Sequence, residues 1–190
     1  MRKPIIVLIS GKARHGKDTL ARMVQEVLPD YLLTPQVVSF ADAVKREVKE
    51  TYKWNGEKDD YGRNLLQSHG QMRREQDSEY WIKLTEARFY KVADVVLIPD
   101  ARYTNEINYF RERGYTCLTV RVVRCNEDDS PFDNGLTSEQ QSHISETDLD
   151  EFPFDIRIKR ISGAKNMGQK RIADIISRLA MGDRAEDREC

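Results

Sequence analysis

Cysteine is scarce: only Cys117, Cys125 and Cys190 occur in 190 residues. The number is odd and no pair has metal spacing, so neither a disulfide framework nor a zinc site organises the chain. Cys117 stands in an apolar strand pattern, where a cysteine acts as a small hydrophobe. His15, His69 and His143 share no ligand or nucleophile spacing. No charge of one sign prevails. The net charge is −1, so a nucleic-acid role would need a local basic patch, and none is expected. The longest early apolar run, Ile5–Ile9, is far too short for a membrane span or a signal core, although Arg2 and Lys3 precede it. There is no internal repeat and no low-complexity tract. The expectation is a cytoplasmic protein without a membrane partner. The length suits one α/β domain with a real core and is too short for two.

What is present is a glycine-bounded loop, Gly11-Lys12-Ala13-Arg14-His15-Gly16-Lys17-Asp18-Thr19, between the apolar run and an amphipathic segment ending at Leu28. Strand, loop and helix in that order are the context in which a phosphate loop is credible. The glycines let successive N–H groups turn inward to an anion. The helix start adds its positive dipole end, and Lys17 supplies a mobile charge for the β- and γ-phosphates. A lysine at a helix start opposes the dipole, which makes sense if an anion is expected. The position after the lysine usually carries Ser or Thr for Mg²⁺; here it is Asp18, followed by Thr19.

Along the chain, strands are predicted over 4–10, 37–40, 92–99, 115–123 and 154–158. Helices are predicted over 19–28, 41–49, 61–74, 78–90, 103–113 and 167–181, with a short one over 144–149. Alternating strands and helices mean a parallel sheet covered on both faces. Ligands then bind beyond the carboxyl ends of the strands, where Gly11, Phe40, Asp100 and Arg124 fall. Residues 41–91 show no strand pattern and are longer than one crossover needs, so they read as a helical lobe over the substrate. Residues 124–143 are polar and read as a lid, and 182–190 as a charged, frayed tail.

Asp18 and Asp100 are the candidate Mg²⁺ contacts, because that ion takes one or two carboxylates besides phosphate oxygens and water. The bland alternatives are a helix-start charge for Asp18 and a turn or cap for Asp100. Arg73 and Arg74 in the lobe, Arg102 after a strand and Lys45 after another are candidates to neutralise phosphate charge. Phe40, Tyr103 and Trp81 are the aromatics placed to stack on a base, with Trp81 equally suited to a core. Lys12, Arg14 and His15 either touch phosphate or are merely solvated or packed.

Several segments in order carry a resemblance: Gly11 to Thr19, Ser39-Phe40-Ala41-Asp42 with Lys45, Leu65-Leu66-Gln67 with Arg73, Asp77 and Trp81, Asp100-Ala101-Arg102-Tyr103-Thr104-Asn105-Glu106, and His143-Ile144-Ser145-Glu146. Together they resemble the deoxynucleoside monophosphate kinases of tailed phages and related bacterial proteins. That family shares its Gly-Lys-Asp loop with animal phosphomevalonate kinase, so Asp18 is expected there. The resemblance covers about Ile5 to Ile176. It implies a three-layer P-loop nucleoside-monophosphate-kinase fold with a five-stranded parallel sheet in a single domain over 1–181. It implies ATP and Mg²⁺, a 5′-deoxynucleotide acceptor, and an assembly left open, homodimer included. It further implies that residues 11–19 and Arg124 hold ATP, that Lys17, Asp18 and Arg102 act in catalysis, and that Lys45, Arg73, Arg102 and Asn105 meet the acceptor. Two departures stand out: the lid is acidic at Glu127–Asp129, and Ile158-Lys159-Arg160-Ile161-Ser162 stands where an asparagine-bearing turn is expected. A kinase for another phosphorylated acceptor such as phosphomevalonate, or a non-transferring nucleotide switch, are the alternatives.

Overall fold

The structure is a computed structural model that describes residues 2–57, 59–161 and 168–186. Ser162, Met167, Cys190 and the end of the expected tail lie outside these residues. β1 (Ile5–Ser10) is buried along its whole length, as an unbroken apolar run rich in β-branched residues predicts. It leads through the glycine loop into α1 (Lys17–Val27). A single 3-10 turn with Pro29 near its start follows, then β2 (Pro35–Val37). The lobe comprises α2 (Phe40–Tyr52), α3 (Asp60–Gln76) and α4 (Tyr80–Glu86). After it come β3 (Val95–Ile98), α5 (Thr104–Glu112), β4 (Cys117–Cys125), α6 (Ser138–Ser142), α7 (Ile144–Thr147), β5 (Ile156–Ile161) and α8 (Gln169–Glu186).

The five strands are parallel in the order β2-β3-β1-β4-β5. This is the expected α/β architecture with helices on both faces. Strand side chains alternate between faces. Ile5, Val7 and Ile9 therefore enter one core with Leu20, Val24, Ile172 and Ile176. Ile6 and Leu8 enter the other with Phe40, Ile107, Phe110 and Leu149. The lobe has a core of its own around Trp54 and Trp81, with Ala43, Val44 and Val48. No described helix is long and apolar enough to cross a membrane.

Several boundaries differ from the sequence reading, each for a local reason. β2 ends at Val37, and Phe40 opens α2 instead of closing the strand. The cause is Asp100, whose carboxylate accepts from the Phe40 and Ala41 N–H groups at 3.1 and 2.8 Å and from the Ser39 hydroxyl at 2.6 Å. It thereby caps the helix from another strand. β3 begins at Val95, and Val92 is exposed in the preceding turn. α4 is shorter than 78–90, and residues 87–92 turn back to the sheet. α8 runs to Glu186, past the expected end at Met181.

Candidate active site

The loop after β1 has the shape its glycines allow. A Cβ on Gly11 would stand 2.5 Å from the Val122 carbonyl oxygen of β4, so only glycine lets the two strands' ends come this close. Gly16 caps α1 in the left-handed conformation at φ 92° with no side chain bonded to the helix start, leaving first-turn N–H groups to an incoming anion. Lys17 lies buried beneath the loop, its Nζ donating to the carbonyls of Gly11 at 2.8 Å and Lys12 at 2.9 Å. Burial, with the Arg102 charge adding to it, pulls the Lys17 ammonium down to about 8. Asp18 is exposed in the first turn and Thr19 half-buried beside it.

An anion of the chain's own already stands on this loop. Glu146 Oε2 accepts from the Ala13 N–H at 3.1 Å, and Oε1 is paired with the Arg102 guanidinium. The carboxylate is thus held by donors of the kind a phosphate group takes. The segment bearing it is fastened from three sides. Lys12 reaches the Glu146 carbonyl and makes a 2.6 Å ion pair with Asp150. Buried Arg121 bonds Asp150 at 2.6 Å and the Ser10 hydroxyl at 2.9 Å. The Thr104 N–H donates to Asp148 at 2.6 Å.

Beside Arg102 opens a cavity of about 300 Å³ between the sheet edge and the lobe. Its walls include Phe40, Lys45, Gln67, Gln71, Arg74, Arg102, Tyr103, Glu106 and Glu146. Aromatic and apolar walls with a few convergent cations and amides are what an anionic small molecule needs. Arg74 lies 4.5 Å over the Tyr103 ring and 3.6 Å from Glu106. Lys45 pairs with Asp42 at 3.3 Å. Burial pushes the Glu106 carboxyl up to about 7 although the Arg102 and Tyr103 N–H groups donate to it at 2.7 and 3.1 Å.

A second cavity of about 460 Å³ lies on the other side of Glu146, with Lys12, His15, Arg124, Phe132 and Asn134 among its walls. Arg124 lies 3.7 Å over the Phe132 ring and donates to the Arg14 carbonyl at 3.2 Å. The loop after β4 therefore folds back onto the phosphate loop.

Not every expected residue converges. Trp81 is 1% exposed and its indole N–H donates to the Gly70 carbonyl at 3.0 Å, so it is a core residue of the lobe and not an acceptor contact. Arg73 is turned to Glu47, at 2.6 Å, and to the Tyr80 ring, at 5.0 Å, within the lobe. It does not line the 300 Å³ cavity; its neighbour Arg74 does. Asn105 is exposed and donates to the Ser78 carbonyl at 2.9 Å, clear of the cavity. Asp100 is buried with three donors on its carboxylate, which burial nonetheless pushes above the usual carboxylate range. It anchors α2 and, unlike Trp81, Arg73 and Asn105, also lines the 300 Å³ cavity. Lys12 faces Asp150, and His15 is buried with Nδ1 3.2 Å from the Arg124 N–H. The exposed Arg14 takes the left-handed backbone at φ 61°. Sequence reasoning missed Gln71, Asp150 and Arg121 as site-forming residues. It quoted Glu106 and Glu146 only within motifs.

A family model described as phosphomevalonate kinase matches residues 9–116, from the phosphate loop through the lobe to α5. No curated protein matches the chain. Among solved structures the chain is similar to a gluconokinase from Sinorhizobium meliloti 1021, at 12% identity over 100% of this chain and 98% of that one, with a TM-score of 0.47. It is similar also to the APS kinase of Mycobacterium tuberculosis, at 11% identity over 94% and 98% with a TM-score of 0.42. A third is the shikimate kinase of Acinetobacter baumannii, at 12% identity over 95% and 94% with a TM-score of 0.40. The match spans more than half of the 190 residues and contains both the phosphate loop and the lobe that walls the first cavity: the chain belongs to the phosphomevalonate kinase family.

Proposed function

We propose that this protein moves the γ-phosphoryl group of ATP to the phosphate of a deoxynucleoside 5′-monophosphate. The observation that carries the reading is Arg102, one guanidinium that walls the 300 Å³ cavity and reaches the carboxylate seated on the phosphate loop. A cation in that position serves both the donor and the acceptor of a phosphoryl group, whose transition-state charge spreads over equatorial oxygens. An oxygen of the acceptor phosphate attacks the γ-phosphorus, the bond to the β-bridging oxygen breaks, and ADP leaves with that electron pair. The attacking oxygen is already anionic, so no side chain has to take a proton. The chain's work is positioning and neutralisation. Lys17 and the loop N–H groups hold the donor; Arg102, Arg74 and Lys45 hold the acceptor phosphate. Glu146 swings off the Ala13 N–H as the donor enters.

The loop's donor set fits a polyphosphate, because no side chain caps the first-turn N–H groups of α1 and the Lys17 ammonium lies beneath the loop. Mg²⁺, when bound with the nucleotide, neutralises phosphate charge. Among the described residues no three acidic, histidine or cysteine side chains form a cage, so such an ion is held mainly by phosphate and water. Asp18, exposed beside Lys17, is the carboxylate free to approach it. The choice of a nucleotide over another acceptor is supported by Phe40 and Tyr103 in the cavity wall and by the amides of Gln67 and Gln71, which suit the face and edge of a base.

A second reading is transfer to phosphomevalonate. It is favoured by the family match itself, which runs through the acceptor lobe. The test is acceptor-dependent ADP release with each dNMP, each NMP and phosphomevalonate. Turnover with dNMPs above the rest supports the first reading, turnover with phosphomevalonate alone replaces it with the second, and nucleotide binding without acceptor-dependent release leaves a switch.

A further inference from the structure

Arg160 belongs to no part of the site described so far. It sits near the end of β5, and its side chain crosses to Gly16 at the head of α1. A methyl group at Gly16 would overlap the guanidinium, so the bare glycine is what admits it. Its Nε is buried and has no hydrogen-bond partner among the described residues. An unmet buried donor of this kind is costly, the more so on a charged group. Its register neighbour across the β4–β5 ladder is Arg124. Two parallel-strand partners point to the same face, so both arginines leave the sheet on the side of α1. An anion between β5 and the start of α1 would meet the Arg160 guanidinium where it lies against Gly16. The sheet order sharpens this. Arg102 follows β3 and Arg160 lies on β5, on opposite sides of β1 and its loop.

We propose that Arg160 is a binding residue for the polyphosphate chain of the donor nucleotide, holding it against Gly16 from the side opposite Arg102. The inference rests on the kinase reading above, because it takes the loop to bind a nucleotide. Arg160 lies inside β5, which runs to Ile161 and so past the strand end expected at Ile158. Residues 158–161, compared above with an asparagine-bearing turn, are strand, and the departure from the resembled family noted there does not stand.

The test is calorimetric titration of the full chain and its Arg160→Ala, Arg160→Gln and Arg160→Lys variants with ADP, with inorganic tripolyphosphate and with a dNMP. Thermal melts report folding, and Arg160→Gln, which keeps an apolar stem and a donor, serves if the alanine variant does not fold. Loss of a charge-assisted contact predicts binding weakened roughly tenfold or more for both ADP and tripolyphosphate, partial recovery in Arg160→Lys, and unchanged dNMP binding. Equal binding by the wild type and the variants overturns the proposal. So does a loss confined to ADP with tripolyphosphate unaffected, because the guanidinium then serves the base. A wild-type chain that binds neither ADP nor tripolyphosphate overturns the kinase reading and this proposal together.

Discussion

Replacing Glu146 by glutamine removes the chain's own anion from the phosphate loop while keeping its shape. The carboxylate is 9% exposed, accepts from Ala13 at 3.1 Å and is paired with Arg102. If it stayed in place beside a phosphate at about 4 Å, the repulsion at an effective dielectric of about 20 would be about 4 kcal/mol per unit charge. Leaving costs less. The Arg102 contact is recovered when the guanidinium turns to the incoming phosphate, so what is lost is roughly one charge-assisted hydrogen bond, about 1.5–3 kcal/mol. The side chain therefore departs, and its departure is charged against binding. A neutral amide gives up only about 0.5–1.5 kcal/mol at the same spot. The difference of roughly 1–2 kcal/mol predicts tripolyphosphate affinity about 5- to 30-fold higher in Glu146→Gln than in the wild type. Isothermal titration without Mg²⁺ at fixed ionic strength reads this directly. Affinity equal to or below that of the wild type would refute the idea that Glu146 competes with phosphate.

Three further outcomes follow from the same geometry. Lys17 is held down to about 8 mainly by burial, and a bound polyphosphate favours its charged form; binding therefore takes up a proton, and affinity falls as pH rises above 8, by up to about tenfold per pH unit. Titration in buffers of different ionisation enthalpy checks it, and no proton uptake at pH 8.5 would count against it. Glu106 is raised by burial from 4.5 to about 7, so the folded state holds its proton more tightly. Its contribution to stability is full below pH 4.5 and is lost as pH rises to 7, by about 3 kcal/mol, and denaturant melts of Glu106→Gln lack that part of the slope. Arg74→Ala raises the acceptor KM at least tenfold, whereas Arg73→Ala lowers Tm and leaves KM for the acceptor near that of the wild type; the reverse pattern would return Arg73 to the cavity.

The phosphate loop and the sheet were legible because both rest on local chemistry. An unbroken apolar run rich in β-branched residues reads as a buried strand, and Gly11 marks where backbone must approach backbone. The capping role of Asp100 could not be told from a metal-binding one because its partners, the N–H groups of Phe40 and Ala41, are sixty residues away in sequence, and nothing local separates the two. Arg73 and Arg74 are neighbours on one helix, and which of them turns to Glu47 depends on how α3 packs on α2. Trp81 has the same hydrophobic spacing whether it walls a cavity or fills a core; the carbonyl of Gly70 decides. Glu146 is one acidic residue in an acidic stretch, and only its distance to Ala13 distinguishes it.

The central claim is the identity of the acceptor. Phosphorus NMR of the protein with ATP, Mg²⁺ and one dNMP at a time tests it most directly. The account predicts the β-phosphorus signal of a deoxynucleoside diphosphate growing as the γ-signal of ATP disappears. Loss of the γ-signal to inorganic phosphate alone, or transfer only when phosphomevalonate replaces the nucleotide, would contradict it.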